Sequence, residues 1–146
     1  AQNMGWDEDN SSSKILTDRP WWEKKASVQT VKFADKFLEV VRNVTSDDSL
    51  ELKFNKHYIG LARHGVADNF MAFKPRKKAM LVEFKMPFSQ ELQDRIEDSL
   101  DFVSYNSRWG AWIVRFTEKD LTDNRAFVEE LVALARKGKN GSNGGN

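Results

Sequence analysis

The chain has 146 residues, 40% of them hydrophobic and including 10 Phe and 5 Trp, which is enough apolar material for one domain core. It has no cysteine and only two histidines, His57 and His64, which excludes disulfide frameworks and thiolate metal sites, and no metal or other cofactor is expected. The net charge is +1, no apolar run nears the ~20 residues of a membrane span, and no basic-then-apolar segment opens the sequence, so a cytoplasmic protein with no membrane partner is expected.

Residues 1–19 begin with a stretch rich in Asn, Asp, Ser and Gln around an isolated Trp6, which reads as a flexible leader or linker. Pro20-Trp21-Trp22 follows. Two adjacent tryptophans before the first helix either anchor a partner or clamp the linker onto the domain. The domain itself is expected over residues 20–137, and the Gly-, Asn- and Ser-rich segment 138–146 reads as a flexible tail.

Ser27 is a candidate helix N-cap. After it, Val28, Val31, Ala34, Leu38 and Val41 recur at the spacing of one helical face, widened by Phe33, Phe37, Val40 and Val44. Four short strand-like runs come next: Leu50–Asn55, Tyr58–Arg63, Asn69–Lys74 and Ala79–Met86. Their short polar connections favour antiparallel pairing. Ser89 caps a helix with Leu92, Ile96 and Leu100 on one side, a strand Ala111–Thr117 follows, and Phe127, Leu131 and Leu134 line a final helix. The order α-β-β-β-β-α-β-α describes an α+β domain, an antiparallel sheet with helices packed on one face.

Charge is unevenly spread along this order. Between Leu50 and Lys85 there are eight Lys/Arg against three Asp/Glu, an excess of +5. From Met86 to Phe102, five acids (Glu91, Asp94, Glu97, Asp98, Asp101) oppose Arg95, giving -4. A basic half and an acidic helix lie behind the near-neutral total.

Two constellations could carry chemistry. Glu83-Phe84-Lys85 is an acid-x-lysine within a strand, and with Asp68 ahead of the preceding strand it matches the residue types that hold a divalent metal in restriction-type nucleases. The same residues also fit a plain amphipathic strand, because Met80, Val82, Phe84 and Met86 form its apolar face. The second constellation is the turn Lys74-Pro75-Arg76-Lys77-Lys78, backed by Lys53, Lys56, His57, Arg63 and His64, of which Lys56 and Arg63 are expected to contact phosphates. Four cations in five residues suit phosphate oxygens, and Trp109 and Trp112 offer stacking surfaces for bases.

Three stretches carry a family resemblance: Lys56-His57-Tyr58-Ile59-Gly60-Leu61, Asn69 to Lys78 leading into Leu81–Pro87, and Arg108-Trp109-Gly110-Ala111-Trp112. They resemble an uncharacterised family of small bacterial α+β domains found at the C-terminal end of larger, DNA-related proteins. More distantly, the chain is similar to the MmcQ/YjbR-like double-wing domains, for which DNA binding has been proposed. The resemblance implies a non-catalytic accessory module, whose partners would be DNA or RNA and the rest of a larger parent protein. The alternatives are a Mg-dependent nuclease built on Asp68, Glu83 and Lys85, and a protein-interaction domain using the tryptophans and the acidic helix.

Overall fold

The computed structural model describes residues 17–100 and 103–145, with side chains as far as Gly138. Helix α1 (Arg19–Lys25) starts where the Asp18 carboxylate accepts the Trp21 backbone N–H at 3.1 Å, with Pro20 in the first turn. Proline loses nothing there, because that N–H has no partner within the helix. Trp22 is fully buried and its indole donates to the Asn55 carbonyl at 2.8 Å. The Lys25 ammonium lies 4.8 Å from the Trp21 ring centroid and 5.0 Å from that of Trp22. Trp22 thus clamps the segment onto the domain.

Helix α2 (Val28–Thr45) begins with Ser27 Oγ accepting the Thr30 N–H, and it ends where Ser46 takes a left-handed conformation (φ 56°). Five strands follow: β1 (Leu50–Phe54), β2 (Ile59–Arg63), the two-residue β3 (Val66–Ala67), β4 (Met71–Pro75) and β5 (Met80–Lys85). Then come α3 (Gln90–Ser99), β6 (Val103–Asn106), β7 (Ala111–Phe116), α4 (Glu118–Asp123) and α5 (Arg125–Gly145). The strands form one antiparallel sheet in the order β1-β2-β4-β5-β7-β6, with β3 paired to β2.

Strand alternation divides this sheet into two unlike faces. On one face Ile59 and Leu61, Met71 and Phe73, Val82 and Phe84, and Trp112, Val114 and Phe116 are buried against the helices. Phe37 of α2 sits over their centre, with its ring 5.5 Å from Phe73, 5.3 Å from Phe116 and 6.5 Å from Phe84. Burying one such ring is worth roughly 1.5–3 kcal/mol of transfer free energy. The opposite face carries Lys53 and Gly60, Ala72 and Lys74, Glu83 and Lys85, Ile113 and Arg115. Small and charged side chains share this open face with the half-buried Leu81 and Ile113.

An ion-pair network ties the helix layer to the sheet. Arg63 shares the parity of Ile59 and Leu61, so its side chain turns to the helix side. There its guanidinium meets Asp47 at 2.6 Å and the buried Asp68 at 3.1 Å. Arg136 of α5 reaches the same Asp68 oxygen at 3.2 Å and lies 5.1 Å from the Phe70 ring centroid.

The α+β class, the antiparallel sheet and the helices on one face are as expected from sequence. The structure adds α1, β3 and β6, and it breaks the last helix at Asn124, whose N–H already bonds the Asp120 carbonyl that closes α4. Helix α5 continues to Gly145, where a flexible tail from residue 138 was expected. Gly138 runs beside the end of β5, where a Cβ would stand in ordinary contact at 3.4 Å from the Lys85 carbonyl oxygen. Of the expected leader, Thr17 to Arg19 are described and Arg19 opens α1, while residues 1–16, Trp6 among them, lie outside the described residues. Asp101 of the acidic segment lies outside them too.

Candidate nucleic-acid interface

The antiparallel registers determine which charged turns meet. Ile59 at the start of β2 pairs with Phe73 near the end of β4, so the β1–β2 turn (residues 55–58) and the β4–β5 turn (residues 76–79) leave the sheet at the same end. Lys56, His57, Arg76, Lys77 and Lys78 are all exposed there. Among the described residues, none of these four Lys/Arg side chains forms an ion pair. Arg76 is steadied by its own turn: its N–H bonds the Ala79 carbonyl at 2.7 Å. Beside this end, a cleft of about 190 Å³ opens between Lys77, Lys78 and the first turn of α2. Its acid, Glu118, is already engaged by Lys36 at 2.6 Å.

The positive charge continues from that end onto the open face through Lys53, Lys74, Lys85 and Arg115. Two acids share the face, Glu51 on the edge strand and Glu83 at the centre. Glu83 is held by Lys74, Nζ to Oε2 2.7 Å.

Near the middle of the face is a notch of about 180 Å³, lined by Tyr58, Asn69, Ala72, Lys74, Glu83, Lys85 and Trp109, with Met71 below. Its architecture depends on Gly60. A Cβ at that position would fall 2.3 Å from Asn69 Oδ1 and 3.0 Å from the Tyr58 ring, so only glycine lets these two side chains close over the strand. Asn69 Oδ1 accepts the Leu61 N–H at 2.9 Å, which leaves its amide NH₂ as a donor.

Trp109 stands on the β6–β7 turn with two-thirds of its surface exposed (66%). Asn106 Oδ1 accepts the N–H groups of both Arg108 and Trp109, and Gly110 takes the positive φ (64°) that closes the turn. The Arg108 guanidinium lies 5.7 Å from the Trp109 ring centroid. The indole is exposed on a tightly bonded turn.

The residues picked out from sequence therefore divide. Lys56, Arg76, Lys77, Lys78, Lys74 and Trp109 lie on the basic end or the open face. Trp112 does not. Its side chain is fully buried, its indole bonds the Pro87 carbonyl at 3.4 Å, and its ring stacks on Phe88 with centroids 5.4 Å apart. A base cannot reach it, so the stacking role expected for Trp112 is withdrawn. Arg63 is also removed from the phosphate-contacting set, because Asp47 and Asp68 occupy its guanidinium on the helix side.

Asp68, Glu83 and Lys85 are not brought together either. Asp68 binds Arg63 and Arg136 beneath the sheet, while Glu83 binds Lys74 on the open side. Among the described residues, no group of three or more His, Asp or Glu side chains could hold a metal ion. Reasoning from sequence missed Tyr58, Asn69 and Arg115. For Arg115 the signal was present, since alternation against Trp112, Val114 and Phe116 places it outward.

Acids gather on the helix side. Arg95 of α3 binds Glu130 of α5 through two bonds of 2.6 and 2.7 Å, and this guanidinium holds the Glu130 carboxyl below its usual range. An apolar groove of about 680 Å³ runs beside that pair, floored by Met86, Leu92 and Leu134. Among the described residues, no helix is long and apolar enough to cross a membrane. No family model matches the chain, and neither a curated protein nor a solved structure does.

Proposed function

We propose that this domain is a non-catalytic accessory module of a bacterial DNA-related protein, and that it binds nucleic-acid phosphates through its basic end. The observation that carries this reading is the convergence of the β1–β2 and β4–β5 turns. Lys56, Arg76, Lys77 and Lys78 present unneutralised charge at one end of the sheet, continuous with Lys74, Lys85 and Arg115 on its open face. Phosphate contact rewards such a surface, because each neutralised phosphate releases condensed counterions. The acids are concentrated on α3 and the neighbouring helix layer, which leaves this surface positive although the whole chain is near neutral.

Fluorescence anisotropy with labelled DNA and RNA across a salt series tests the reading. Binding is expected to weaken steeply with salt and to leave the probe uncut with Mg²⁺ present. The double variant Arg76→Glu/Lys77→Glu should lose at least about tenfold in affinity and flatten the salt slope by about two. Unchanged affinity would overturn the proposal. Mg²⁺-dependent cleavage abolished by Glu83→Ala would restore the nuclease alternative.

A second reading, a protein-interaction module, draws on the groove between α3 and α5. An absence of nucleic-acid binding even at low salt would favour it.

A further inference from the structure

The notch on the open face has a composition that the phosphate reading alone does not require. Phosphate binding needs cations, yet here an exposed indole and a half-buried phenol stand around a floor formed by Ala72. At about 180 Å³ the notch is on the scale of one heterocyclic ring rather than a folded peptide. Its polar groups are of both kinds. Asn69 offers an amide NH₂ donor, Glu83 offers carboxylate acceptors, and Lys85 projects from the rim with no ion pair among the described residues.

We infer that this notch receives one unpaired base of a single-stranded polynucleotide, stacked against Trp109 and Tyr58, with its flanking phosphates on Lys85 and Lys74. The inference rests on the phosphate-binding reading and specifies its ligand. A base inside a duplex keeps both faces stacked on its neighbours and cannot enter a recess in a sheet. An unpaired base can turn out and lie on an aromatic side chain. The cations extending to Arg76–Lys78 mark the path of the polynucleotide backbone. Among the described residues, no helix lines the notch and no acid beyond Glu83 does, so a polyanion meets little opposition there.

The test compares short oligo-dT and oligo-U, run as separate arms, with a duplex of equal length. Each is titrated against the wild-type chain, Trp109→Ala, Trp109→Phe and the Arg76→Glu/Lys77→Glu double variant. Single strands are expected to bind at least about tenfold more tightly than the duplex, and the tighter of the two arms identifies the preferred sugar. Trp109→Ala should weaken single-strand binding roughly 5- to 150-fold, the range for loss of one base–aromatic stack, while duplex binding and the salt slope stay nearly constant. Trp109→Phe should recover much of the loss. Because Trp109 is exposed, its variants are expected to melt like the parent, which keeps the comparison interpretable.

Unchanged single-strand affinity in Trp109→Ala, with the double variant still impaired, would overturn the notch while leaving the phosphate reading intact. Unchanged affinity in both would overturn both. A duplex that binds as tightly as the single strands would also overturn the notch.

Discussion

Lys74 Nζ and Glu83 Oε2 lie 2.7 Å apart, reaching diagonally between β4 and β5 on the open face of the sheet. The acid of the acid-x-lysine pair is therefore held by a lysine from the next strand. It is also the single acid at the centre of an otherwise basic surface. Glu83→Ala is expected to raise affinity for duplex DNA, whose bases cannot enter the notch, about two- to fivefold at low ionic strength, with the gain fading as salt rises. Both groups are partly solvated, so stability should change by less than about 1 kcal/mol. Anisotropy titrations and urea melts check both parts, and a loss of affinity would contradict the first.

The two tryptophans of the Trp109-Gly110-Ala111-Trp112 stretch should respond oppositely to truncation. Trp112→Ala removes a fully buried ring packed against Phe88 and Tyr105, and a loss of about 3–5 kcal/mol is expected. Trp109→Ala should stay within roughly 0.5 kcal/mol of the parent. Urea midpoints measured on both variants decide this, and equal destabilisation would show that the exposed indole has a packing role.

Gly60→Ala should cost about 1–3 kcal/mol, because the new methyl displaces Asn69 Oδ1 from the Leu61 N–H and presses on the Tyr58 ring. The losses from Gly60→Ala and Asn69→Ala should not add, since each removes the same hydrogen bond. A double-mutant cycle by chemical denaturation measures this coupling. Strict additivity would mean that the two residues do not share a structural role.

The Asp47 carboxyl is drawn down from its ordinary 3.8 to about 2, first by the Ser49 hydroxyl hydrogen bond and then by the Ser49 N–H and the Arg63 guanidinium. A carboxyl depressed in the folded state stabilises the fold above its unfolded pKa, and that contribution drains away as pH falls from about 4 towards 2. Asp47→Asn should therefore be less stable than the parent at pH 6, with the two stability curves converging near pH 2. Thermal melts across this pH range test the sign, and a constant gap between the curves would contradict it.

Much of this arrangement could be read from the residues. Ser27 and the apolar recurrence through Val41 marked α2, since a side-chain cap and a one-sided helix each leave a local signature. Glu83 and Lys85 were placed opposite the apolar face of β5 by alternation alone. Helix α1 was missed although Asp18 and Pro20 form a start signal, because Trp21 and Trp22 read as a clamp or anchor lying ahead of the first helix. Alternation with Ile59 and Leu61 turns Arg63 inward, but its ion-pair partners could not be read. Its charge argues for solvent, and only the fold brings Asp47, Asp68 and Arg136 around it from three separate elements. Nor could the notch, whose walls come from residues about fifty positions apart, Tyr58 and Trp109.

The pairing of α2 with α5 governs when this protein can become itself during synthesis. The ring of Phe37 has its sheet partners once Phe116 has been made, yet the neighbouring stripe of α2 stays uncovered until Val128, Leu131 and Ala135 arrive. Arg136, the second cation on the buried Asp68, comes later still. A nascent chain halted after β7 would display a greasy half-core above a finished strand order, the kind of species that chaperones retain and proteases trim. Closure waits for the ribosome to deliver α5, and contacts of such sequence separation make folding a slow, late and cooperative event.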